Sequence, residues 1–248
     1  MRETVTEVTV SFFQRFNHLI GMAAESTATP PAPPYLPPRG EPIVVFMDEH
    51  LIVLDKPSGL LSVPGRGLER ADCLASRVHV RFADARIVHR LDMATSGLIV
   101  MARGAHMERA LSIAFQQRQV EKCYEALVAG RPAQVEGDIH LPLITDWPRR
   151  PRQKVDPDTG KPSHTHFRVL SYDPGADVSR VALIPHTGRS HQLRVHLQAI
   201  GHPILGDELY APDAAFQAAP RLMLHACRLC FAHPALGHRL ELNSPPPF

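Results

Sequence analysis

A nine-residue polar segment, His89-Arg90-Leu91-Asp92-Met93-Ala94-Thr95-Ser96-Gly97, is pinned between two apolar runs, Ile87-Val88 and Leu98-Ile99-Val100-Met101. Short apolar runs flanking a polar stretch read as strand, loop, strand. A rigid scaffold presenting a charged loop is where binding and catalytic side chains collect. Taken alone, Arg90 and Asp92 fit a surface turn equally well, with side chains that bond the local backbone. The rest of the chain has to decide between the two.

Upstream, Ile43-Val44-Val45-Phe46, Met47-Asp48-Glu49-His50 and Leu51-Ile52-Val53-Leu54 alternate as strand, turn and strand, a hairpin by length and composition. It runs into Asp55-Lys56-Pro57-Ser58-Gly59 and Ser62-Val63-Pro64-Gly65, two turn signals that place Lys56 at the mouth of a site. The spacing of Leu74, Val78 and Phe82 predicts a helix near residues 72–82, and Met107, Ala110, Leu111, Ala114 and Phe115 predict a longer one over residues 104–118. Residues 121–129 read as a strand on which Lys122 and Tyr124, two apart, share a face. With further strands over residues 222–231, the pattern is an antiparallel, strand-rich domain with a few helices, an α+β chain.

Totals narrow the function. The 248 residues suffice for a sizeable core, and no apolar run of 18 or more residues is present, so the expectation is a cytoplasmic protein with no membrane partner. The four cysteines, Cys73, Cys123, Cys227 and Cys230, are too scattered for a disulfide framework. Cys227 and Cys230 form a C-x-x-C on a strand, where residues three apart face opposite ways, which argues against zinc. Positive charge is carried by 23 arginines and only four lysines, Lys56, Lys122, Lys154 and Lys161. Each lysine therefore marks a position where a compact ammonium is wanted in place of a planar fork.

Pro30, Pro31, Pro33, Pro34, Pro37 and Pro38 forbid a helix, so residues 1–39 read as a Pro-rich, disordered tail and residues 40–248 as the folded domain. The loop Trp147-Pro148-Arg149-Arg150-Pro151-Arg152-Gln153-Lys154 concentrates four cations beside the single Trp, a candidate for phosphate contacts. In His186-Thr187-Gly188-Arg189-Ser190-His191-Gln192-Leu193-Arg194-Val195-His196, Ser190 is placed to cap a helix that buries Leu193, Leu197 and Ile200 and ends at Gly201. His186, His191 and His196 are five apart, about 140° around a helix, so they are not expected to share a metal ion. There is neither a Walker loop nor a G-x-G-x-x-G, and no cofactor is implied.

Four blocks taken together resemble the pseudouridine synthase family of the ribosomal large-subunit type: Asp55-Lys56-Pro57-Ser58-Gly59-Leu60, His89-Arg90-Leu91-Asp92 with Thr95-Ser96-Gly97, Lys122-Cys123-Tyr124, and Thr187-Gly188-Arg189-Ser190-His191-Gln192-Leu193-Arg194. The likeness runs from about residue 42 to the C-terminus. It implies the family's catalytic fold, a mixed, mainly antiparallel sheet with flanking helices around a central cleft, and isomerisation of a uridine in RNA. Met93-Ala94, Asp146-Trp147-Pro148 through Lys154, and Thr159-Gly160-Lys161-Pro162 resemble the branch that modifies both 23S rRNA and tRNA stem-loops. His186 departs from the pattern, which often has an aliphatic residue there.

The resemblance further implies a single catalytic carboxylate, Asp92, with Arg189 as the partner that holds its charge and Tyr124 as the residue whose ring stacks on the extracted base and whose hydroxyl serves proton transfer. Arg90 would fill the space left by the base or grip a phosphate. His89, Lys56, Lys122, Arg149, Arg150, Arg152, Lys154 and Arg194 would contact RNA. The expected protein is a monomer with an RNA partner and no metal. Three rivals make different demands. A glycosidase or nucleosidase needs a second carboxylate, for which Asp55 and Asp207 are the candidates. A non-catalytic RNA-binding module tolerates any residue at position 92, and a metal nuclease needs the three histidines to converge.

Overall fold

The computed structural model describes residues 34–248, so most of the segment expected as a tail lies outside the described residues. Its described end is tied to the domain. The Tyr35 hydroxyl donates to the Asp72 carbonyl and accepts from the Leu61 N–H, and Arg77 donates to the Pro38 and Gly40 carbonyls.

The strands are β1 (Ile43–Met47), β2 (Leu51–Lys56), β3 (Ala85–Ile87), β4 (Ser96–Arg103), β5 (Glu121–Ala129), β6 (Glu136–His140), β7 (Leu143–Thr145), β8 (Gln153–Val155), β9 (His164–Asp173), β10 (Val178–Pro185), β11 (Leu224–Ala232) and β12 (Arg239–Asn243). The helices are α1 (Leu74–His79), α2 (Gly104–Gln116), α3 (Gln192–Ala199) and α4 (Asp213–Gln217). Ten of the strands form one sheet in the order β1-β2-β4-β11-β5-β10-β9-β6, with β3 joined to β4 and β12 to β11, while β7 and β8 pair separately. Every pairing in the large sheet is antiparallel except β4 with β11. The expected α+β, mainly antiparallel architecture is what the chain adopts.

Strand alternation explains how the sheet is covered on both faces. Ile52, Leu54, Ile99 and Met101 point to one side, onto Leu74 and Val78 of α1. Leu51, Val53, Leu98 and Val100 point to the other, onto Met107 and Leu111 of α2 and Phe231 of β11. Beyond β11, Val128, Val181 and Leu183 pack with Leu193 and Leu197 of α3. The helices over residues 72–82 and 104–118 form in shorter versions. Ser190 does not cap α3: His191 takes that position in the left-handed region at φ 54, and no side chain caps the end. Gly201 follows the last turn at φ +88, the expected stop.

The parallel β4–β11 contact brings the opening loop to the centre of the sheet. Its register pairs His225 with Ser96 and Ala226 with Gly97. Gly97 has φ +110, and a Cβ there would collide with the backbone of Ala226. Only glycine lets the two backbones approach this closely. Gly97→Ala is expected to destabilise the fold by about 2–3 kcal/mol, from strain together with the collision. Urea unfolding would measure this, and an unchanged midpoint would show that the crossing does not need the missing side chain.

Candidate active site

The loop between β3 and β4 is held from below by the turn that follows β2. Lys56 is fully buried, and its ammonium donates to the carbonyls of Pro57, Leu60 and Met93 at 2.9, 2.8 and 3.1 Å. Ser58 Oγ donates to the Ala94 carbonyl, Gly59 N–H donates to the Met93 carbonyl, and Ser62 Oγ donates to the Leu91 carbonyl. Leu91, Met93 and Ala94 are thereby fixed on either side of Asp92. Burial pushes Lys56 down to about 7, and the charges of Asp92 and Asp55 pull it back up. Three carbonyl acceptors match the three N–H bonds of an ammonium, so the charged form is the one the turn is built for. Lys56, expected at an RNA-contacting mouth, is instead a clamp inside the protein.

Asp92 opens into a cleft of about 2190 Å³. The arginine against it is Arg194, whose Nη1 lies 3.6 Å from Asp92 Oδ2. Arg194 is itself buried, and its Nε and Nη2 donate to Asp207 Oδ2 and Oδ1 at 2.8 and 2.6 Å. Burial works against the guanidinium charge, but the bonds to Asp207, its charge and that of Asp92 outweigh it and hold Arg194 above its ordinary value. Gly206, at φ +72 against the Arg221 backbone, makes the turn that delivers Asp207. Arg189, expected in this role, is exposed and donates to the Pro162 carbonyl at 3.3 Å. The physical reason lies in the start of α3. Arg189 precedes the helix, whereas Arg194 sits between Leu193 and Val195 on its buried part.

His191 supplies a second contact, its Nε2 lying 4.0 Å from Asp92 Oδ2. On the far side of the ring, Nδ1 lies 2.6 Å from the Tyr210 hydroxyl, which already accepts from the Gln153 N–H. The hydroxyl is left to donate to Nδ1, which puts the ring proton on Nε2, toward the carboxylate. Burial lowers the pKa of His191 and favours this neutral ring, although Asp92 opposes the shift. Burial also pushes the Tyr210 hydroxyl up to about 12, so it keeps its proton.

Tyr124 lines the same cleft from β5, its backbone paired with Leu183 of β10 and Ala226 of β11. Burial raises its phenol, and the Asp92 charge raises it further. A phenol held this way keeps its proton in the RNA-free site and offers a ring face and an O–H donor.

The remaining candidates divide. Arg90 is exposed in the cleft beside Asp92 and has no hydrogen-bond or ion-pair partner among the described residues. Lys122 also lines the cleft, and burial lowers its pKa. His89 accepts from the Val100 N–H, stacks on Phe115 and is pushed by burial, with help from the Lys122 charge, down to about 3. It is a neutral ring that positions β4. In the basic loop Arg149 is paired with Asp146 and Lys154 with Asp156. Arg150 lies over the Trp147 ring at 4.7 Å and faces the cleft, which Arg152 does not line.

His186, His191 and His196 do not converge. His196 is buried against Ser163 and Thr165, where burial lowers it to about 4. Cys230 is buried, while Cys227 Sγ donates to the Cys123 carbonyl. Asp207 is consumed by Arg194, and Asp55 accepts from Ser244. Neither supplies a second open carboxylate.

The charge of the chain is nearly balanced, 27 Lys and Arg against 25 Asp and Glu, yet ten Lys and Arg and only four carboxylates line the cleft. That concentration, in a cleft larger than the ~300–1,000 Å³ usual for a small molecule, suits a polyanion. Residues 50–199 match the RNA pseudouridylate synthase family. The chain belongs to this family. It is 49% identical over 220 residues to the "Dual-specificity RNA pseudouridine synthase RluA" of Escherichia coli (strain K12), spanning 88% of this chain and 97% of that one. The protein of the same name from Vibrio cholerae serotype O1 is 53% identical over 201 residues, 81% of each chain. Among solved structures, "Human RNA Pseudouridylate Synthase Domain Containing 1" is 29% identical with a TM-score of 0.71, covering 86% of this chain and 87% of that one.

Around Asp92 the two arginines are separable. Arg194→Ala leaves Asp207 buried and unpaired, and is expected to cost about 3–5 kcal/mol in stability along with nearly all turnover. Arg189→Ala is expected to leave stability within about 0.5 kcal/mol, as exposed substitutions do. Urea unfolding and single-turnover kinetics on both variants test this, and equal effects would contradict the assignment.

Proposed function

We propose that this RNA pseudouridine synthase isomerises uridines in stem-loops of both 23S rRNA and tRNA, with Asp92 as the catalytic carboxylate. The observation that carries the reading is one open carboxylate between a buried guanidinium and a protonated phenol in a cationic cleft. The dual-specificity relatives support two RNA substrates.

The reaction fits what is present. The bond from ribose C1′ to N1 of uracil breaks, the base turns, and C1′ bonds to C5. The C5 hydrogen leaves as a proton and N1 ends protonated, so reactant and product are isomers. No water or redox equivalent is consumed, and a second carboxylate of the glycosidase kind is not required. Asp92 faces the reacting nucleotide, Arg194 and the His191 N–H hold its charge and direction, and Tyr124 offers its ring to the base. The uridine must leave its stack, at a cost of a few kcal/mol. Arg90, exposed beside Asp92, occupies the vacated space or the adjacent phosphate. Lys122 and Arg150 add backbone attraction that does not depend on sequence.

Residues 40–248 act as the catalytic domain, and the enzyme works as a cytoplasmic monomer without metal in the reaction. No described helix is long and apolar enough to cross a membrane. The decisive test uses RNA labelled with tritium at uridine C5. Asp92→Asn is expected to abolish tritium release, by at least ~10³-fold, while RNA binding persists. Release at the normal rate would remove Asp92 from the chemistry. Loss of binding together with release would mark it as a binding residue.

A further inference from the structure

Three neighbouring backbone segments carry five ligand-type side chains on one face. On β9, His164 and His166 are two apart and so point the same way. Asp138 of β6 lies directly across from His166, and His140 directly across from His164. On the other side the chain leaving β10 places His186 beside His164, its N–H donating to the His164 carbonyl at 3.0 Å. Asp138 Oδ1 is 2.6 Å from His164 Nε2 and 3.3 Å from His166 Nδ1. Ligand atoms of Asp138, His164 and His186 all lie within 4.8 Å of one another.

We propose that Asp138, His164 and His186 form a binding site for one divalent transition-metal ion of the zinc, nickel or copper class, with His166 or His140 able to complete it. Imidazole donors with one carboxylate select these ions over magnesium or calcium, which prefer all-oxygen shells. Asp138 on β6, His164 on β9 and His186 on the chain leaving β10 come from three paired segments of one sheet, which hold the donors on a rigid frame. Ligand atoms around a tetrahedral ion with bonds of about 2.0–2.1 Å lie roughly 3.3 Å apart, so side-chain rotation must open the 2.6 Å Asp138–His164 contact and bring His186 to the ion.

The ring geometry says which rotation. His164 is stacked between His140 and His186, with ring centroids 4.0 and 4.2 Å apart and planes inclined by 18° in each case. An ion lies in the plane of each imidazole it binds, and two near-parallel planes cannot share it. Binding therefore turns the exposed His186 ring out of the stack. It also replaces the hydrogen bond from His164 to Asp138, the ring proton moving to Nδ1, so that a neutral ring stays neutral. The site is separate from Asp92 and its partners. It stands on a wall of the same cleft, which His164, His166 and His186 line, the first two half-buried and His186 exposed. An ion there adds two positive charges to that wall.

The test titrates the full chain, free of any histidine tag, with Zn²⁺ by calorimetry and with Co²⁺ by visible absorption. One equivalent is expected to bind. His164→Ala with His186→Ala, and separately Asp138→Asn, should weaken binding by at least about tenfold. Cys123→Ser with Cys227→Ser should leave it unchanged, because the thiols are not ligands. Circular dichroism confirms that each variant is folded. Absence of stoichiometric binding by the parent chain overturns the proposal. So does binding that survives the histidine changes or disappears with the cysteines.

Discussion

The contact on which the site depends is the Arg194 guanidinium, buried and shared between two carboxylates. Removing a guanidinium from water costs several kcal/mol, which only a well-formed partner can offset. Asp207 provides that partner with two short bonds, and its own Oδ1 also accepts from the Leu209 and Tyr210 N–H groups. Because Asp207 pays that cost, the remaining Nη1 is free to face Asp92 without having to be stabilised by it. Asp92 then keeps access to the cleft while a fixed positive charge stands behind it. One helix, one glycine turn and one carboxylate are thus committed to aiming a second carboxylate.

A parallel arrangement holds the loop itself. Lys56 ties three carbonyls around the turn that carries Met93, and Ser58 and Ser62 add bonds to Ala94 and Leu91. Rigid support of this kind costs nothing at the moment of reaction, which is the general advantage of preorganised charge. The groups proposed to contact RNA are arranged differently. Arg90 and Arg150 are exposed and face open space, as suits contacts that must adapt to a substrate.

Much of this was legible in the chain. Short continuous apolar runs marked the strands; the hairpin and β5 form where the pattern placed them, and α2 forms there but ends at Gln116. The four blocks pointed to the family and to Asp92 and Tyr124, which the fold brings to one cleft. The missing piece was which arginine is buried. Arg189 and Arg194 sit five residues apart in one polar block, and residue type alone does not distinguish a helix-leading position from a buried helical one. A signal was available: Arg194 lies between Leu193 and Val195, and an arginine there needs a buried carboxylate, which Asp207 after Gly206 could supply. Lys56 was misplaced for a related reason. A turn motif is usually exposed, but this turn packs beneath the Asp92 loop, a relation set by the β2–β4 pairing that local sequence does not encode. His191 was read only as a metal candidate, because its partner Tyr210 is distant in sequence.

The most direct measurement is a crystal structure of the protein with a stem-loop carrying 5-fluorouridine at the target position, where fluorine blocks the final loss from C5. The account predicts the extracted base against the Tyr124 ring, Asp92 at the ribose or base, Arg194 still bridging Asp92 and Asp207, and Arg90 at the gap in the stem-loop. A base bound elsewhere in the cleft, or Arg189 swung onto Asp92 in place of Arg194, would contradict it.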